Sequence, residues 1–114
     1  MRKFPEKFTA PNNQIGENKI RRTAAEIKDM SGNLPTLDLH GKNISEAEQL
    51  TLNSIYMWAN SDEISCLIIH GKGTGVLDKA ITNLLTDLKN SKIIEDFFPS
   101  SKYPGAAKVV VFFT

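Results

Sequence analysis

Ser65-Cys66-Leu67-Ile68-Ile69-His70-Gly71-Lys72-Gly73-Thr74-Gly75-Val76-Leu77 opens as an unbroken apolar run, crosses a turn with glycine at every second position, and continues into an amphipathic segment. An apolar run without alternation suits a strand covered on both faces, so a strand is expected over Ser65–Ile69. Downstream, Leu77, Ala80, Ile81, Leu84, Leu85 and Leu88 recur at helical spacing and predict a helix from about Gly75 to Asn90. Asp78 falls in its first turn and Lys89 in its last, where the helix dipole favours each charge. Cys66, inside the apolar run, reads as a small core residue.

Upstream lies a second strand with the same ending. Thr36-Leu37-Asp38-Leu39-His40-Gly41 alternates, which puts Leu37 and Leu39 on one face and Asp38 and His40 on the other. Pro35 before it is tolerable at a strand start. A helix is expected between the two strands, from near Ser45 to residues 60–62. Ser45-Glu46-Ala47-Glu48 fits a capping box there, and Ile44, Ala47, Leu50, Ile55 and Trp58 form the apolar stripe, with Trp58 read as core. Two further strands are expected, Ile93–Phe98 closed by Pro99, and Ala107–Phe113, apolar apart from Lys108 and therefore central. The order is β-α-β-α-β-β. Strand–helix alternation predicts an α/β fold, a two-layer sandwich on a mostly parallel sheet that the last two strands make a mixed four-stranded sheet. In open α/β sheets, sites lie beyond the carboxyl ends of strands, and both His-Gly turns fall there.

The N-terminal third is different. Residues 1–33 read as a flexible basic arm carrying a short helix over about 18–30, with Ile20, Ala24 and Ile27 on one face; residues 34–114 read as the folded domain. Residues 1–32 hold seven Lys or Arg against four acids, whereas the rest holds seven Lys against nine acids. Net charge is only +1, so any polyanion must be bound by a local patch. Arg21 and Arg22 on the arm are candidates for phosphate contact. A single cysteine allows no internal disulfide and no zinc-finger spacing. With no signal-peptide pattern and no run long enough to span a membrane, a cytoplasmic protein without a membrane partner is expected.

The two His-Gly turns contain both histidines of the chain. Glycines in His70-Gly71-Lys72-Gly73-Thr74-Gly75 let backbone N–H groups approach an anion, and the helix behind adds unpaired donors and a partial positive charge. Lys72 adds a full charge, and Gly71, Gly73, Thr74, Gly75 and Lys42 complete a candidate phosphate cradle. The spacing fits neither a P-loop nor the dinucleotide fingerprint, so no nucleotide cofactor is expected. Asp38 could orient or electrostatically support His40, a residue type suited to acid–base work. With His70 as a second acid–base group and Lys72 stabilising charge, the set Asp38, His40, His70 and Lys72 fits phosphodiester cleavage. RNA cleavage through its 2′-OH needs no metal; DNA cleavage by water gives a divalent metal a role. A lone histidine at a strand end is more often structural, and Asp38 alone is an ordinary turn cap. The set as a whole is harder to read that way. Binding of nucleic acid without cleavage is the alternative.

Leu37-Asp38-Leu39-His40-Gly41, followed some thirty residues later by His70-Gly71-Lys72-Gly73-Thr74-Gly75-Val76-Leu77, resembles the Smr (small MutS-related) domain over roughly residues 34–114. The resemblance implies a fold similar to the C-terminal domain of bacterial translation initiation factor three. It also implies an endonuclease that nicks DNA or cleaves mRNA on stalled ribosomes, with nucleic acid, and in some members the ribosome, as partner. Asp38 and His40 would be the acid and histidine of the first motif, and His70, Gly71, Lys72 and Gly73 the core of the second. Two departures stand out. Many members have a glycine-rich turn before the last strand, where this chain has Tyr103-Pro104-Gly105-Ala106-Ala107, and many have a basic residue where Asp78 stands.

Overall fold

The computed structural model describes residues 10–113. The elements run α1 (Ala10–Ser31), β1 (Thr36–Asp38), α2 (Ile44–Ala59), β2 (Ser65–Ile69), α3 (Val76–Asn90), β3 (Asp96–Pro99) and β4 (Ala107–Val111). The strands form one sheet in the order β1-β2-β4-β3. β1 and β2 are parallel, joined by the α2 crossover, while β4 runs antiparallel to both of its neighbours. The sheet is therefore mixed, as expected, but parallel in one pairing of three rather than mostly parallel. The reason is that α3 leads into β3 at the far edge, and the turn after β3 returns the chain as β4 into the centre.

Period two divides the central strands between two cores. Cys66 and Ile68 of β2 and Val110 of β4 pack with Ala47 and Ile55 of α2 and Ile81, Leu85 and Leu88 of α3. Leu67 of β2 and Ala107, Val109 and Val111 of β4 face the other way, onto Ala25 of α1 and Leu34. The two-layer sandwich of α2 and α3 on the sheet is present, and α1 adds a layer on the opposite face. That cover is why β2 and β4 read as continuous apolar runs. Trp58 is half-buried against the α2/α3 core.

α1 is longer and better anchored than the expected arm. Residues 1–9 of that arm lie outside the described residues, but 10–17 are already helical, with Pro11 in the first turn, where its missing N–H costs nothing. At its C-terminal end Asp29 is 2% exposed. Its carboxylate accepts from Ser100 Oγ at 2.8 Å and from the Ser101 N–H at 2.9 Å, both in the turn between β3 and β4. Other boundaries move as well: β1 stops at Asp38 and β4 at Val111, short of His40 and Phe113. α2 starts earlier, on a capping box formed by Asn43 and Glu46 rather than Ser45 and Glu48. Residues 93–95 are not strand: Lys92 has φ of 65°, and the N–H groups of Ile93 and Ile94 both point back at the Leu88 carbonyl, so the chain wraps the end of α3 before β3 begins.

Removing the Asp29 carboxylate leaves buried donors on Ser100 and Ser101 without an acceptor. Asp29→Ala is expected to lose about 2 kcal/mol of stability, measurable by urea unfolding. A change below about 0.5 kcal/mol would mean that α1 is held by its apolar face alone.

Candidate functional site

The parallel register sets Asp38 beside Ile69, so the two His-Gly turns leave the sheet together. The Leu39 N–H donates to the Ile69 carbonyl at 2.7 Å, and a Cβ placed on Gly71 would lie 3.6 Å from His40 Cβ. With the N-termini of α2 and α3 they enclose a cleft of about 780 Å³, whose lining includes His40, Lys42, Ile44, His70, Lys72 and Val76. The structure thus brings together Asp38, His40, His70, Lys72, Gly71, Gly73, Thr74, Gly75 and Lys42. Among the described residues neither Lys42 nor Lys72 has an ion-pair partner.

Arg21 and Arg22 lie elsewhere. Arg21 forms a two-pronged pair with Glu95, and Arg22 contacts Asp96 at 3.3 Å while its guanidinium lies over the Phe98 ring. Asp96 sits beside Val111, which sits beside Ser65, the first residue of β2. That is the end of the sheet opposite to the histidines. Arg21 and Arg22, the arm's candidates for phosphate contact, are thus not part of the cleft; here they tie α1 to the body.

The two helix N-termini at the cleft are unlike. α2 is closed by its own capping box, Asn43 Oδ1 accepting from the Glu46 N–H at 2.8 Å. α3 has Gly75 as its cap residue, at φ of 86°, and no side-chain cap. A residue with a side chain there would cost roughly 1–2 kcal/mol. The first-turn donors of α3 remain without a side-chain acceptor, in a geometry suited to an anion.

The two histidines differ as sharply. The side chain of His40 is 77% exposed, and its Nδ1 lies 2.7 Å from Asp38 Oδ1. A carboxylate oxygen only accepts, so Nδ1 carries a proton, and in the neutral ring Nε2 keeps the lone pair. The hydrogen bond from the His40 ring, helped by the His40 backbone N–H, holds the Asp38 carboxyl below its ordinary value. The side chain of His70, by contrast, is wholly buried. Its Nδ1 lies 2.7 Å from the Gly71 carbonyl and its Nε2 3.1 Å from Lys108 Nζ. Both ring nitrogens are engaged, so His70 does not present a free nitrogen to the cleft as a second acid–base group would.

Lys108 and Asp78 are the members of this site that the sequence reading missed. Lys108 is 8% exposed and its Nζ lies 2.8 Å from Asp78 Oδ1. The cation therefore bridges His70 and Asp78. The Lys108 hydrogen bond holds the Asp78 carboxyl below its ordinary value, against the burial that pushes it up. The signal in the sequence was the lone Lys108 in an apolar strand, on the same face as Val110; its partner is set by tertiary structure. Burial pushes the Cys66 thiol up, in keeping with a core residue. Among the described residues no group of three His, Cys, Asp or Glu is placed to hold a metal ion. Asp38 with His40 is one carboxylate and one imidazole, and Asp78 is taken by Lys108. No helix among the described residues is long and apolar enough to cross a membrane.

An α/β domain with a glycine-built anion turn beside an exposed Asp–His pair defines a class, and comparison with known proteins gives the family. The profile of the Smr domain matches residues 37–112, and the chain belongs to that family. It is 36% identical over 99 residues to the endonuclease MutS2 of Pediococcus pentosaceus and 33% identical over 103 residues to that of Ligilactobacillus salivarius. These matches cover 83% and 88% of this chain but only 11% and 13% of the relatives. The crystal structure of the Smr domain of Thermus thermophilus MutS2 superposes with a TM-score of 0.62 at 25% identity, covering 71% of this chain and all of that domain.

The Asp78–Lys108 pair gives a signed pH dependence. The folded value of Asp78 lies below the ordinary 3.8, so the pair stabilises the fold above that pH and its contribution fades as pH falls through the folded value. Asp78→Asn is expected to melt below the parent protein near neutral pH, with the gap closing in acid. Thermal unfolding of both proteins across that range checks it; a gap that widened on acidification would contradict the assignment.

Proposed function

We propose that the protein is a nucleic-acid endonuclease of the Smr type. The observation that carries this reading is the exposed His40, held by Asp38 with Nε2 free, at the mouth of a cleft whose other wall is the open N-terminus of α3 and Lys72. Membership of the Smr family and similarity to proteins named endonuclease MutS2 support it. In this mechanism the backbone N–H groups of the Gly71–Gly75 turn and Lys72 hold the scissile phosphate. His40 Nε2 takes the proton of the attacking hydroxyl, and Asp38 keeps the ring oriented and stabilises its charged form. As the phosphorane forms, Lys72 and the α3 donors meet the added negative charge.

The role expected of His70 changes. It becomes a positioning residue: with Lys108 and Asp78 it fixes the start of the turn. The donors at hand do not build a resident metal site, so no step is routed through a metal. In RNA the attacking hydroxyl is the 2′-OH, which leaves a 2′,3′-cyclic phosphate and a 5′-OH; in DNA it is water. One observation favours a second reading, a binding module without cleavage: His40 is the single histidine with a free ring nitrogen, so leaving-group protonation falls to Lys72 or solvent.

His40→Ala is expected to lower cleavage by roughly 10²–10⁴-fold while leaving affinity within a few fold. Lys72→Glu is expected to abolish binding and cleavage together. Nicked-circle DNA and structured RNA are the substrates, and product ends identify the attacking group. Cleavage that survives in His40→Ala would remove the endonuclease mechanism. Salt-sensitive binding with no cleavage in the parent protein would establish the binding module instead.

A further inference from the structure

The cleft has a part that phosphate chemistry does not use. Ile44 and Val76 are the first residues of α2 and α3, they line the same cleft, and they are 41% and 52% exposed. Each is a β-branched apolar residue left in water at a helix start, where neither joins the buried core. Leu77, partly buried behind Val76, extends the apolar wall. Ser45 and Thr74 bring hydroxyls to the lining that have no partner among the described residues. On the same lining are Lys42, Lys72 and the uncapped turn before α3.

We infer that this cleft takes a single unstacked base between Ile44 and Val76, next to the phosphate held by the Gly71–Gly75 turn, so that the strand bound here is single-stranded. This rests on the nucleic-acid reading above and narrows its substrate class. An anion site alone has no use for an apolar slot, and an apolar docking groove alone has no use for two unpaired lysines and open helix donors. A nucleotide combines both within one repeat, an anionic phosphate and a flat, largely apolar ring with polar edges. A base inside an intact duplex is stacked on both faces and cannot enter such a slot, whereas an unpaired one offers its faces to apolar side chains. Ser45 and Thr74 hydroxyls suit the polar edge and can donate or accept, which gives little discrimination among bases.

The test compares three ligands for the full chain by fluorescence anisotropy: a short single-stranded oligonucleotide, a wholly abasic strand with the same number of phosphates, and the corresponding blunt duplex. The single strand is expected to bind several-fold more tightly than the abasic strand, through burial of the base against apolar side chains, and more tightly than the duplex. The double variant Ile44→Ser, Val76→Ser changes two exposed side chains. It is expected to bind the single strand about as weakly as the parent binds the abasic one, and to lose the difference between the two. Equal binding of base-bearing and abasic strands would overturn the base slot and leave the phosphate site standing. A duplex bound as tightly as the single strand would overturn it as well, and so would a double variant that kept the parent's preference. Failure of all three ligands to bind would remove the nucleic-acid reading itself.

Discussion

The parallel pairing of β1 with β2 is the constraint on which the site depends. β1 is an edge strand of three residues, paired Thr36 to Leu67, Leu37 to Ile68 and Asp38 to Ile69. Its register is pinned by the Leu67 N–H on the Pro35 carbonyl and the Leu39 N–H on the Ile69 carbonyl. A slip of one residue would turn Asp38 and His40 toward the α2/α3 core and put Leu39, now fully buried, in water. Both changes are unfavourable, because a carboxylate would enter an apolar layer and a leucine would leave one. The alternation of Leu37-Asp38-Leu39-His40 therefore does two things at once. It packs Leu37 and Leu39 against the core, and it aims the Asp–His pair at the rim where the second turn ends.

Given that rim, the two helices decide where charge goes. α2 spends the Glu46 N–H on its own Asn43 and carries the Glu46 carboxylate there, so an anion has less reason to settle on it. α3 begins on a left-handed glycine with no side-chain acceptor, and the one acid in its first turn, Asp78, is drawn to Lys108. An unpaired Asp78 at that place would repel a phosphate. Paired, it leaves Lys42 and Lys72 as the unneutralised charges on the lining. A protein with net charge of only +1 can in this way present a locally positive pocket.

Much of this was legible in sequence because the signals were local. β2 was readable at both ends, since a continuous apolar run bounded by turn residues has few alternatives, and α3 was displaced by one residue at its start. Trouble came where local patterns were degenerate. Asn43-x-x-Glu46 and Ser45-x-x-Glu48 are both capping boxes, and the choice rests on where the chain leaves β1. Ile93 and Ile94 look like strand residues, yet they belong to the wrap after α3, which Lys92 starts with a positive φ that no sequence pattern announces. The extension of α1 to Ala10 was hidden by Pro11 and the asparagines after it, poor helix formers inside a helix but tolerable near its start. For the site, chemistry was legible and accessibility was not. His40 and His70 sit in the same His-Gly pattern, and only the sheet order reveals that one ends an edge strand and the other a central one.

That difference in position also bears on Asp78 and on the turn before β4. His70, following a strand flanked by β1 and β4, is enclosed on both sides and needs partners for both ring nitrogens. Lys108 supplies one from β4, and Asp78 then balances the cation it brings into the interior. Where a basic residue on α3 would put its charge at the helix start, this chain puts the charge on the neighbouring strand and an acid on the helix. The pair carries no net charge, so it can hold the histidine without adding charge to the cleft. The turn before β4 is tied into the same arrangement through its backbone: the Ala106 carbonyl accepts from the N–H groups of both His70 and Gly71 at 2.9 Å. A carbonyl can do this on any residue, and one glycine with positive φ, Gly105, suffices to deliver it. Tyr103-Pro104-Gly105-Ala106 thus brings that carbonyl over the second motif.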